Sequence, residues 1–77
     1  MTEKGIVEFK SKIFDPMNDA WAIMKWMRDT EPKDDKFWEE YTKKSMELPN
    51  KFGNTEISQS LSRVLLDAGS EVSKIGR

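Results

Sequence analysis

The sequence predicts a small all-α protein, a bundle of three helices joined by short connections. Apolar residues recur at intervals of three and four in three segments, and polar capping residues precede those segments. Pro16, Pro32 and Pro49 stand at nearly even intervals, and proline is tolerated in the first turn of a helix but ends one elsewhere. The 77 residues are expected to form a single domain, 1–77.

The first predicted helix spans about residues 16–29. Asp15 is a favourable N-cap, and Pro16 suits the first helical position. Projected at 100° per residue, the apolar side chains fall on an arc of about 160°, which predicts the side of the helix that faces the core. The residues of this arc are Met17, Ala20, Trp21, Ile23, Met24 and Met27.

The second predicted helix spans about residues 35–48. Asp34 or Asp35 can cap it, and pairs such as Glu39–Lys43 have the favourable i,i+4 order. Its apolar stripe is narrow. The residues of the stripe are Phe37, Trp38, Tyr41 and Leu48.

The third predicted helix spans about residues 55–75, with Asn54 or Thr55 as N-cap. Gly69 costs roughly 1 kcal/mol inside a helix, but the apolar stripe continues in phase beyond it, which favours one unbroken helix. The stripe consists of Ile57, Leu61, Val64, Leu65, Ala68, Val72 and Ile75.

Residues 1–14 carry an ambiguous pattern. Ile6, Phe9 and Ile13 have helical spacing, whereas Val7, Phe9 and Ile13 suit one face of a strand. We expect an extended or irregular N-terminal arm.

Composition argues against several classes of function. The chain has no cysteine or histidine, so the usual nucleophile–base arrangements cannot be built and only carboxylates and carbonyls could act as metal ligands. We therefore expect no enzyme, cofactor or metal. The net charge is -1, and no segment is basic enough to drive binding to nucleic acid. The sequence shows no apolar stretch typical of a signal peptide or membrane span, which predicts a soluble, cytoplasmic protein.

Each predicted helix carries a large apolar residue away from its apolar stripe. These residues are Trp26 in the first helix, Met46 in the second and Leu66 in the third, and Trp38 is a further candidate. Three such residues in a small domain indicate an association surface, because tryptophan is enriched at binding hot spots and methionine adapts to irregular partners.

The leading functional hypothesis is therefore binding to another protein, or self-association into a homo-oligomer. A core this small supplies only about 3–5 kcal/mol of stability, and neither disulfides nor a metal can add to it. Short helical chains with balanced charge are common among phage-type accessory proteins and inhibitors of other proteins. This hypothesis predicts that Trp26→Ala weakens association without unfolding the domain.

An alternative hypothesis is a small DNA-binding regulator. The stretch "TEISQSLSRVLLDAGSEVSK", residues 55–74, resembles the recognition-helix region of winged-helix and helix-turn-helix regulators, with a serine-rich helix before an alanine–glycine turn. The resemblance implies contacts to bases or phosphates from Gln59, Ser62, Arg63 and Lys74. Substitution of Arg63 and Lys74 would then abolish retention on DNA and leave protein association intact.

Overall fold

The computed structural model describes residues 2–75, which form a three-rod helical bundle and no strand. This confirms the predicted all-α fold. The first rod is continuous and consists of α1, a π-helical turn and α2, and α3 and α4 are the other two. Their bounds are α1 Glu3–Phe9, the π-helical turn Lys10–Phe14, α2 Asp15–Asp29, α3 Asp35–Lys51 and α4 Glu56–Lys74.

The N-terminal arm is helical, so the predicted extended or irregular conformation is wrong. The first helix does not begin at Pro16, because the chain enters it from a π-helical turn in which the Asp15 N–H donates to the Lys10 carbonyl. Proline has no N–H to donate, and its ring crowds the carbonyl four residues earlier. A locally widened turn relieves this crowding, and the helix passes through the proline.

Asp15 does not act as an N-cap. Its carboxylate instead forms an ion pair with Lys10, in which Lys10 Nζ lies 3.3 Å from Asp15 Oδ2. Helical residues both precede and follow Asp15, so no free N–H groups of a helix start are present there for it to cap.

α3 begins as predicted and ends three residues later than predicted. Asp34 is its N-cap, and the Phe37 N–H donates to Asp34 Oδ1 at 2.9 Å. The helix runs through Pro49 and closes at Gly53, whose φ of 70° is readily adopted by glycine. The Asn54 N–H donates back to the Pro49 carbonyl at 2.8 Å, the bond of a Schellman motif.

α4 follows after a short turn and is therefore antiparallel to α3. Thr55 is its N-cap, since its hydroxyl accepts from the Ser58 N–H at 3.3 Å. The helix continues unbroken through Gly69, as predicted. Tyr41 of α3 packs closely against α4 at Gly69, because a Cβ added at Gly69 would lie 2.6 Å from Tyr41 Cε1.

The core is thin, and Tyr41 is at its centre. The Tyr41 hydroxyl donates to the Leu65 carbonyl on α4, and burial raises the pKa of this phenol above its usual value. Ser45 and Ser58 are also fully buried, and their small side chains leave room for a neighbouring helix to pack closely. Their hydroxyls donate to backbone carbonyls, so both are hydrogen-bonded. The buried apolar residues are Ala20, Met27, Phe37, Tyr41, Leu48 and Leu65.

The molecule is elongated. Its radius of gyration is 14.1 Å, with extents of 49 × 19 × 16 Å, against about 11–12 Å expected for a compact chain of this length. The cause is the first rod, which is about 40 Å long by helical rise. Within the part of the chain that the structure describes, no Cα atom of α1 lies within 8 Å of a Cα atom of α3 or α4.

Candidate protein-binding site

An apolar groove runs along the first rod and is closed on one side by α4. Its volume is about 480 Å³, and Asn18 is the only polar residue among those that line it. The groove is open to solvent, and Trp21 at its edge is 60 % exposed. The apolar lining residues are Phe9, Ile13, Phe14, Met17, Ala20, Trp21, Met24, Leu61, Val64 and Leu65.

Met17 and Trp21 are exposed, so their assignment to the core is wrong. On the helical projection they lie at one edge of the apolar arc of α2, and Ile23 lies at the other edge. α3 packs on the Ile23 side and α4 covers the centre, where Ala20 is buried. No third segment among residues 2–75 covers Met17 and Trp21. These two side chains therefore line the open groove.

The groove residues of the N-terminal arm carry a signal in the sequence. Phe9, Ile13, Met17 and Trp21 recur at intervals of four, which is the spacing of one helix face. A helix read straight through Pro16 would have joined them into one stripe. Interpreting Pro16 as the start of a helix instead divides the stripe in two. The π-helical turn that allows the helix to continue through Pro16 cannot be predicted from the sequence.

Trp26 is partly buried at the contact between α2 and α3. Its ring stacks on Phe37 with centroids 4.9 Å apart and planes 18° apart, and the Lys44 ammonium lies 5.0 Å from its centroid. Trp26 projects about 60° beyond Ile23, on the side where α3 packs. The two contacts cover much of the side chain, so Trp26 adds to the core as well as to the surface of a polar crevice beside Lys44.

The substitution Trp26→Ala is expected to lower the free energy of unfolding by about 2 kcal/mol, because a partly buried aromatic stack is lost. The matched control is Trp21→Ala in the same helix, which should change the stability of the monomer, measured at low protein concentration, by less than about 0.5 kcal/mol because Trp21 is exposed in the monomer. Chemical denaturation measures both. An unchanged stability of Trp26→Ala, combined with weaker association, would instead support the sequence hypothesis for this residue.

The other three predicted binding residues do not join Trp26 in one surface. Trp38 and Leu66 share a shallow crevice between α3 and α4. Met46 lies on α3 and is 60 % exposed, and it lines none of the crevices described here. Leu66 is 38 % exposed, which is no more than Ile57 of the predicted apolar stripe. Binding through these residues stays a prediction, and the apolar groove is formed by other residues.

Three of the four residues predicted to bind DNA are buried or already bonded to other groups of the chain. Ser62 is buried, with 8 % of its surface exposed, so the structure contradicts its predicted contact with DNA. The Gln59 amide donates to the Asn54 carbonyl at 2.8 Å, and Lys74 Nζ lies 3.7 Å from Glu71. Arg63 is exposed. Of the four predicted residues, Arg63 is the one for which no burial, hydrogen bond or ion pair is described above. DNA binding through α4 stays a prediction.

Residues 2–75 show none of three other features that indicate a functional site. No cluster of acidic, histidine or cysteine side chains there could hold a metal ion. No buried side-chain nitrogen or oxygen atom in that range is without a hydrogen-bond partner. No helix in the same part of the chain combines the length and apolar character needed to cross a membrane.

The fold and the groove define a small all-α protein with an open apolar face along its longest helical rod. No protein family model matches the chain, and no curated protein or solved structure shows significant similarity to it.

Proposed function

We propose that this chain acts without catalysis by binding a protein through the apolar groove of the first rod. The observation that carries the proposal is the exposure of large side chains along one continuous face. Phe14, Met17, Trp21 and Val64 are each half-exposed or more. The largest contiguous apolar patch on a monomeric soluble protein is often an interaction site.

The composition of the groove fits a protein partner. Aromatic residues and methionine are enriched at the centres of protein interfaces, whereas charged residues are depleted there. Phe9, Phe14, Met17 and Trp21 follow this composition, and no charged side chain lines the groove. An inhibitor or an accessory factor, including one of phage type, would use such a face, and with no cysteine the chain suits the reducing cytoplasm.

The experiment is site-specific photo-crosslinking in the cells that make the protein. A photoreactive aromatic residue replaces Trp21 in one variant and Met46 in another. These two side chains are equally exposed, at 60 %, so accessibility alone cannot distinguish them. The proposal expects a discrete crosslinked protein band from position 21 and none from position 46.

Two outcomes contradict the proposal. Position 21 could give no crosslink while the chain is folded and abundant. Both positions could also give the same diffuse crosslinks, which would indicate random collisions. A discrete band from position 46 alone would indicate that the protein binds its partner through the surface around Met46, which the sequence hypothesis predicted.

A further inference from the structure

We infer that the partner of the groove is a second copy of this chain, arranged about a two-fold axis. This inference rests on the proposed function and names its partner. In such a dimer, α1 of each copy lies in the apolar groove of the other, and the two first rods run antiparallel. The same contact then covers the projecting helix and the groove of both copies.

The exposed surface is larger than a monomer of this mass should have. The accessible surface is 5799 Å² for a chain of 9.0 kDa, whereas a monomeric globular protein of that mass exposes about 4,900 Å². The surplus is roughly 900 Å². A standard protein interface buries about 800 Å² on each partner, so the surplus is the size of one half of such an interface.

Seven large apolar side chains of the first rod and α4 are each between 44 and 66 % exposed. An aromatic side chain has about 150–250 Å² of surface, so the three aromatic members alone present roughly 300 Å². The other four members add to this area. The seven residues are Ile6, Val7, Phe9, Phe14, Met17, Trp21 and Val64.

The chain supplies both halves of the contact. α1 projects beyond the bundle with Ile6 and Val7 exposed, and its Cα atoms lie more than 8 Å from those of α3 and α4. The groove beside it lacks a cover along the edge formed by Met17 and Trp21. A two-fold contact requires a self-complementary surface, and an apolar helix next to an apolar groove meets this requirement.

Charge permits the antiparallel arrangement. Residues 3–14 contain three lysines and two glutamates, a net charge of +1, and residues 15–29 contain three aspartates, one lysine and one arginine, a net charge of -1. Antiparallel rods place these segments opposite each other. The whole chain carries a net charge of -1, so the repulsion between two copies is small.

The test is the molar mass of the full chain in solution, measured by sedimentation equilibrium from micromolar to millimolar concentration. The dimer predicts a rise from 9.0 kDa to twice that value. Val7→Lys on α1 and Trp21→Lys at the groove are each expected to weaken dimerisation by at least tenfold. Met46→Lys places the same charge at an equally exposed apolar position outside the patch, and it should leave dimerisation unchanged.

Val7→Lys keeps the test valid if Trp21→Lys alters the bundle, because α1 lies outside the core. Circular dichroism should show that Val7→Lys stays helical. A molar mass of 9.0 kDa at every concentration overturns the second copy as partner. In that case a discrete crosslink from position 21 to a different protein would leave the proposed function standing. Open-ended oligomers, or dissociation by Met46→Lys, overturn the two-fold arrangement.

Discussion

Replacing Tyr41 by alanine is expected to unfold the protein at room temperature. Tyr41 is 1 % exposed and lies between Phe37, Trp38 and Gly69. Removal of a fully buried aromatic side chain costs about 3–5 kcal/mol, which is as much as a core of this size supplies. Loss of the helical signal in circular dichroism measures the effect. A cooperative thermal transition close to that of the parent protein would show that Tyr41 does not hold the core together.

The control is Tyr41→Phe, which keeps the ring and removes only the hydrogen bond to the Leu65 carbonyl. Its expected cost is about 1 kcal/mol. Burial raises the pKa of Tyr41 in the folded protein, so the folded state holds its proton at a pH where the unfolded chain has lost it. This contribution to stability is complete below a pH of about 10, and it is lost as the pH rises through the folded pKa. Tyr41→Phe should lack this part of the alkaline loss of stability.

Replacing Gly69 by alanine is expected to destabilise the protein, although alanine is the better helix former. In an unhindered helix the change would stabilise by about 1 kcal/mol. Here the new Cβ would lie 2.6 Å from Tyr41 Cε1 and 3.2 Å from Cδ1. The Tyr41 ring is held from its other sides by Phe37 and Trp38, so it cannot move aside freely. Overpacking of this kind costs about 1–3 kcal/mol and outweighs the gain.

The measurement for Gly69→Ala is the thermal midpoint, with a decrease of roughly 5–10 °C expected for a net loss of about 1–2 kcal/mol in a domain of this length. The matched control is Ser70→Ala, one residue later on the exposed side of α4. It should raise stability slightly, because only helix propensity changes. An increase of the midpoint for both variants would show that α4 and Tyr41 are less closely packed than described.

Local chemistry allowed the helices to be predicted. Asp34 and Thr55 accept hydrogen bonds from backbone N–H groups only a few residues ahead, so their capping roles depend on the local sequence alone. The apolar repeat of α4 likewise crosses Gly69 without a change of phase. These signals involve neighbours in the chain, and the structure confirms them.

The prolines misled the prediction for the opposite reason. The structure accommodates Pro16 after a π-helical turn and Pro49 in the last turn of α3. Whether a helix bends, widens or ends at a proline depends on what packs around it, and a pattern of residue types does not contain that information. Pro16 therefore separated the N-terminal arm from the first predicted helix, and the ambiguous apolar pattern of the arm then predicted an extended or irregular conformation for part of the longest helical rod.

The location of the candidate site was decided only by tertiary structure. The sequence alone determined that one face of α2 is apolar and that Trp26 lies off that face. It could not determine how far round α2 the other two helices reach. α3 covers the Trp26 side, and the opposite edge with Met17 and Trp21 stays open. A helical projection shows which residues share a face, but burial depends on the neighbours that cover that face, and these come from distant parts of the chain.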